Sequence, residues 1–396
     1  MKKLMILAAT AALVLAASCT KNEIVSTRNN EQLVPIGFSN YAPRNLTKAD
    51  AANFADGAVL IDNATFGVYA WGTANGTSIA AAPGTPNFMN GTVVTYLGDT
   101  TDGDGNTYSP MRYWPAGDAP DYLTFFAYYP ENAGTITPTI NGSGKIGSFA
   151  FTAENAAANQ VDFMVTNIVP DQVYNSTNVS PTYPGTVKFT FKHQLSKIQF
   201  KFKKKTGLGT ETVVEVLDAK LSNIKNTGTL NVTYTPGSTT TATEWASVSG
   251  TQGYDVFING TNPDYTAPST ISNPVTLTES ASTVAPADIF LMVPQNMAAT
   301  TQTLTVTWRV RVYDTAANAT ANDGSTGLLS ETINTKALSF FSDLKTSDTV
   351  DTAASAINWE MNDFITYTIT IGPNPIWFTA EVANWSAEEN GYFNVQ

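Results

Sequence analysis

Residues 187–205, VKFTFKHQLSKIQFKFKKK, carry the sharpest strand periodicity in the chain. Val187, Phe189 and Phe191 alternate with Lys188, Thr190 and Lys192, which gives one apolar and one wet face. Leu195 keeps that parity, whereas Ile198, Phe200 and Phe202 fall on the other. A shift of one residue turns every side chain to the opposite face, so a bulge or tight turn near Ser196 and Lys197 is expected to re-aim the chain. The stretch reads as a core strand, or strand pair, opening a second domain.

Short alternating segments recur on both sides of it. Val34, Ile36 and Phe38 mark a first strand, and FGVYAW (66–71) a stronger one. Val93–Leu97 follows among the turn signals Asn90-Gly91, Asp102-Gly103 and Asp104-Gly105. Residues 112–130 are dense in aromatics and read as the core and rim of a sandwich. A helical turn is expected within Ala153–Gln160. Beyond the central stretch come Val213–Ile224, Gly228–Tyr234, Tyr254–Ile258, Val275–Leu277, Ile289–Val293 and Leu304–Tyr313. In the last of these Leu304, Val306, Trp308, Val310 and Val312 oppose Thr305, Thr307, Arg309 and Arg311. At the end, Ile376, Phe378, Ala380 and Val382 share one parity. Strands of this length between Gly, Asn, Pro and Thr tracts predict an all-β chain of β-sandwiches. The 396 residues suffice for two domains, expected at 33–184 and 185–396, with the boundary in the Pro- and Asn-rich 170–185.

Charge and rare residues narrow the function. With 21 Lys and Arg against 33 Asp and Glu the formal charge is −12, which argues against nucleic acid as a partner. The basic cluster of Lys201 and Lys203–Lys205 reads as the solvated end of a strand. One histidine, His193, and one cysteine, Cys19, leave no second partner for a His/Cys zinc site. His193 shares its strand's apolar parity, so a partly buried residue is expected rather than a catalytic base. Asp102, Asp104 and Asn106 begin like a calcium loop, but Tyr113 stands where the closing glutamate belongs. No catalytic residue, metal or cofactor is therefore assigned, and the chain is expected not to be an enzyme.

The start has its own logic. Lys2 and Lys3 precede an apolar run, Leu4–Ala17, too short for a permanent membrane span, and small residues lead into Cys19. Residues 1–18 thus read as a lipoprotein signal peptide, Cys19 as the lipidation site and 19–32 as a tether. Ala16 stands where leucine is preferred, and an ordinary signal peptide cleaved nearby is the alternative.

RYWPAGDAPDYLTFFAYYP (112–130), VDFMV (161–165), KFTFKHQLSKIQFKF (188–202) and YTITIGPNPIWFTAEVANW (367–385), taken with that start, resemble the fimbrillins, subunits of type V pili. The resemblance implies two tandem transthyretin-like Greek-key β-sandwich domains and export to the outer membrane as a lipoprotein. It also implies that an arginine-specific protease removes the first strand of a stalk subunit, and that a strand from the next subunit fills the groove. Cleavage after Arg28 would spare Val34, Ile36 and Phe38. Cleavage between Arg44 and Asn45 would remove them, so that bond is the expected maturation site. The expected donor is Ile376, Phe378, Ala380 and Val382. Partners would be other pilus subunits, the outer membrane through the lipid before maturation, and a host glycan or protein. The alternative is a non-polymerising anchor or tip subunit, or a surface lipoprotein binding glycan through exposed Tyr69, Trp71 or Trp114.

Overall fold

The computed structural model describes residues 34–40, 63–81, 84–100, 103–115, 121–132, 145–174, 185–235, 238–257, 274–283, 289–298, 301–347, 353–373 and 376–385. All belong to one compact unit that starts at Val34. The first strands are β1 (Gly37–Asn40), β2 (Thr65–Thr73), β3 (Met89–Thr100), β4 (Gly103–Thr107), β5 (Tyr122–Tyr129), β6 (Lys145–Thr152), β7 (Met164–Thr166), β8 (Val169–Gln172), β9 (Thr186–Phe189) and β10 (Phe191–His193). There follow β11 (Ser196–Lys204), β12 (Thr212–Ile224), β13 (Thr227–Tyr234), β14 (Thr241–Ser249), β15 (Gln252–Phe257), β16 (Val275–Thr276), β17 (Ser282–Thr283) and β18 (Ile289–Met292). The last are β19 (Thr303–Tyr313), β20 (Leu328–Ser339), β21 (Asp363–Ile371) and β22 (Trp377–Asn384), with one short α-helix among the described residues, α1 (Ala316–Ala321). The chain is nearly all β, as expected.

A seven-stranded sheet runs β10-β7-β5-β2-β3-β4, with β8 on β5, and its two faces feed different cores. Phe66, Val68 and Ala70 of β2 join Leu123, Phe125 and Ala127 of β5 on one face, where β1 and β9 also pack. Tyr69 and Trp71 join Phe126 and Tyr128 on the other, against Leu230 and Val232 of β13. This explains the unbroken apolar run FGVYAW: a strand covered on both faces has no wet parity. Gly67 is required opposite Tyr128 of the neighbouring β5, because a Cβ there would clash with the edge of the Tyr128 ring.

A third core lies between two further sheets, β17-β11-β21-β22 with β18 on β11, and β15-β12-β19-β20 with β16 on β12. Ile198, Phe200 and Phe202 face Val214, Val216, Val306 and Trp308 across it. The central stretch is therefore not one bulged strand. β9 pairs with β1, β10 with β7 and β11 with β21, and the chain changes layers at Gln194 and Leu195 rather than at Ser196 and Lys197. The change is pinned by the Gln194 amide donating to the Phe163 carbonyl (2.8 Å) and the Asn362 amide donating to the Leu195 carbonyl (3.0 Å). Val187, Phe189 and Phe191, just past residue 185, complete the first core, and β6, ahead of it, pairs with β13. The expected helical turn is a 3-10 turn at Ala157–Asn159.

Asp218 sits at the register shift between β12 and β19. Burial, then the nearby Asp255 carboxylate, push its pKa up to about 6, against a smaller opposing pull from Lys220. The folded state thus holds this proton more tightly than the unfolded chain. Its contribution to stability is full below about pH 4, falls as pH rises through about 6, and stays low above that. Asp218→Asn is expected to flatten that part of a stability-against-pH curve measured by urea unfolding, and an unchanged curve would show that another group titrates there.

Candidate functional site

Residues 34–40 lie in a trough between β9 and the segment 106–114. On one side Gly37–Asn40 runs parallel to Thr186–Phe189, and the Gly37 amide donates to the Gly185 carbonyl (3.0 Å). On the other side Ile36 N donates to Arg112 O (2.9 Å) and Trp114 N to Val34 O (3.0 Å). The Tyr108 hydroxyl donates to Ile36 O (2.7 Å) and the Asn106 amide to Phe38 O (2.6 Å). Burial pushes the Tyr108 phenol up to about 12, so it remains a donor at neutral pH. Gly185, at φ +85°, permits the close approach: a Cβ there would sit 2.7 Å from Pro35 O.

Alternate side chains point into the trough. Ile36 and Phe38 are 1% and 0% exposed, and Val34 packs against the same core. The Phe38 ring lies flat on Phe189 (5.5 Å between centroids, 8°) and meets Phe66, Tyr108 and Phe125 at 6.5, 5.6 and 6.0 Å. Burying Ile36 and Phe38 contributes about 1.5–3 kcal/mol each. Without residues 34–40 this aromatic trough and the Arg112, Gly185 and Trp114 backbone groups would lose their partners. Refilling it takes an extended strand with apolar residues at alternate positions.

Of the expected donor residues, Ile376 just precedes β22 and the others lie on it, next to β21 and bridged at Phe378 to Leu344 on its other side. Ile376 and Phe378 are buried in the third core, Ala380 is half-buried and Val382 is 45% exposed. Their shared parity is therefore buried only at its start. Beyond β22, the Trp385 ring stacks on His193 (3.7 Å, 7°), with Lys197 Nζ 5.6 Å over the indole. His193 Nδ1 lies 2.5 Å from Asp162 Oδ2, while its Nε2 is buried with no partner among the described residues. Sequence periodicity correctly placed His193 inward, but its contact with Trp385, almost two hundred residues on, has no local signal.

Tyr69, Trp71 and Trp114 are not exposed, which corrects the expectation of a sugar platform there. All three are buried: Tyr69 stacks on Tyr128 (5.7 Å), Trp71 Nε1 donates to Gly84 O (2.8 Å) and Trp114 Nε1 to Gly185 O (2.8 Å). The two-faced burial of β2 is the cause for Tyr69 and Trp71, and Trp114 is covered in the first core beside residues 34–38. Cys19, Arg44 and Asn45 lie outside the described residues. Among the described residues, no group of three or more His, Cys, Asp or Glu side chains is placed to hold a metal.

Comparison with known proteins agrees with this architecture. A fimbrial protein of Bacteroides vulgatus, solved as a crystal structure, superposes with a TM-score of 0.55 at 20% identity, covering 89% of this chain and 99% of that one. In sequence, the fimbrium subunit Fim1C of Phocaeicola vulgatus is 28% identical over 212 residues, 52% of this chain and 53% of Fim1C. The aligned part thus spans about half the length of that curated relative. The sequence model of the fimbrillin-like family matches residues 47–385, most of the chain. The chain therefore belongs to the fimbrillin-like family.

Proposed function

We propose that the chain is a stalk subunit of a cell-surface fimbria, exported as a lipoprotein acylated on Cys19, matured by cleavage between Arg44 and Asn45, and polymerised by strand exchange. The observation that carries this reading is the trough under Val34, Ile36 and Phe38. It is apolar, aromatic and lined with backbone donors and acceptors, and it is filled by a segment that lies on the N-terminal side of Arg44. Cleavage detaches that segment from the remaining chain and leaves a groove whose cheapest filling is a strand from another subunit. Within this reading residues 33–184 and 185–396 act largely as an N-terminal and a C-terminal sandwich, with β9 and β10 serving the first.

The partners are then further fimbrial subunits, and the outer membrane through the lipid until cleavage. Adhesion to a host glycan or protein would be a property of the assembled fibre. The first test is the N-terminal residue of protein sheared from intact cells. A start at Asn45 is expected. A start at acylated Cys19 would overturn the stalk reading and leave an anchored, non-polymerising subunit.

A further inference from the structure

The first strand also covers a peptide bond. Among the described residues there are three arginines, and two of them lie mid-sheet. Arg309 and Arg311 sit on β19, which is paired with β12 on one side and β20 on the other, and their guanidinium groups are bonded to Glu215 and Glu331. Arg112 is different. It lies beyond β4, exposed between Met111 (45%) and Tyr113 (42%), with its guanidinium 5.6 Å from the centre of the Phe88 ring.

The Arg112 side chain is therefore presented while its backbone is not. Arg112 O accepts from Ile36 N (2.9 Å), Trp114 N donates to Val34 O (3.0 Å), and Pro35 bridges Tyr113 between them. Arg112 N donates to the Tyr108 hydroxyl (3.3 Å), which itself donates to Ile36 O (2.7 Å). All but the Arg112–Tyr108 bond end on residues 34–36. An endoprotease whose specificity pocket takes a guanidinium must lay its substrate out as an extended strand and draw the scissile carbonyl oxygen into its oxyanion hole. At Arg112 that oxygen is held by Ile36. Susceptibility to cutting follows the burial and hydrogen bonding of the backbone, and both depend here on the first strand.

We infer that the bond between Arg112 and Tyr113 is a second, conditional cleavage site, closed while a strand fills the trough and open while the trough is empty. Hydrolysis there adds water across the broken C–N bond and leaves a carboxylate on Arg112 and an amine on Tyr113. This rests on the strand-exchange reading above and adds a regulation to it. The class of enzyme that frees the first strand at Arg44 also cuts any subunit that then stays unfilled, severing β2, β3 and β4 from β5 within one sheet. An incoming strand that repeats the Ile36 contact to Arg112 O spares the subunit.

The test uses purified full-length chain carrying Arg28→Lys and Arg44→Lys, so that an arginine-specific endoprotease leaves the first strand attached. Fragments are identified by mass spectrometry. This chain is expected to resist cutting at Arg112. Adding Phe38→Ala, which loosens the strand, is expected to speed that cut about tenfold or more while the bonds after Arg309 and Arg311 stay intact. Those two bonds report unfolding of the whole chain. Should Phe38→Ala upset the entire fold, urea below the unfolding transition loosens the strand of the chain that keeps Phe38. A fragment starting at Tyr113 is then expected before any starting at Val310 or Val312. Arg112 cut no faster with the strand loosened than with it seated, or cut only in step with Arg309 and Arg311, overturns the inference. Neither result bears on the N-terminal residue found on cells, so strand exchange would stand. A start at acylated Cys19 on cells removes strand exchange and leaves the gated bond to be judged by its own cleavage rates.

Discussion

Phe38→Ala in the uncleaved chain is expected to lower the unfolding free energy by about 3–5 kcal/mol, the range for emptying a buried aromatic site. The ring is fully buried and touches four others, so its removal leaves a cavity walled by Phe66, Tyr108, Phe125 and Phe189. These belong to three strands and one loop that do not move as a unit, which limits collapse into the space. Val382→Ala, on the exposed half of β22, is the control and should fall within about 0.5 kcal/mol. Denaturant unfolding of the two variants decides the matter. A loss below about 1 kcal/mol for Phe38→Ala would mean that the segment lies loosely on the trough, and its removal would then create no demand for a replacement strand.

The same region shows which parts of the fold local sequence can reveal. Val34, Ile36 and Phe38 declare an inward face by alternation alone, and so does β13, because each lies between a core and a wetter side. Two strands with no such contrast escape that reading. β14, TATEWASVS, and β20, LLSETINTKALS, are edge strands with much of both faces accessible, so burial imposed no period on them. β2 fails in the opposite way: both faces are buried, and Tyr69 and Trp71 look like a possible outer face only until the second core is seen. The three-way division of residues 186–204 among sheets depends on partners at Gly37–Asn40, Met164–Thr166 and Asp363–Ile371, and no local pattern carries that information. For the trough the inward residues were legible, but its hydrogen-bonding walls, Tyr108, Trp114 and Gly185, were not. Tyr108 and Trp114 look like ordinary aromatics until the first strand is laid beside them.

Glu215→Ala is expected to cost a further about 3–5 kcal/mol at a site far from the trough, because it strands a buried cation. The sequence presents Arg309 and Arg311 as the wet parity of β19, yet Arg309 is only 8% exposed and Glu215, opposite it on β12, 1%. Arg309 Nε donates to Glu215 Oε2 (2.7 Å), Arg311 Nε to Glu331 Oε2 (2.6 Å), and the Asn322 amide to Glu215 Oε1 (2.8 Å). The Tyr313 hydroxyl donates to Asn322 Oδ1 (2.8 Å), tying the residue just past α1 to the network. Truncating Glu215 removes the carboxylate that Arg309 was desolvated to meet, and the cost is mainly that of the cation left behind. Glu215→Leu combined with Arg309→Met removes both charges and keeps the volume, so the double variant should recover most of the loss. By contrast, Lys220 and Asp255, 3.7 Å apart and both well solvated, should show about 0–1 kcal/mol of coupling in the same kind of cycle. If the Leu/Met pair were as unstable as Glu215→Ala, the energy would lie in the Asn322 and Glu331 contacts. The network would then act through its hydrogen-bond geometry, holding α1 and β20 against β19, and the charge of Arg309 would be incidental.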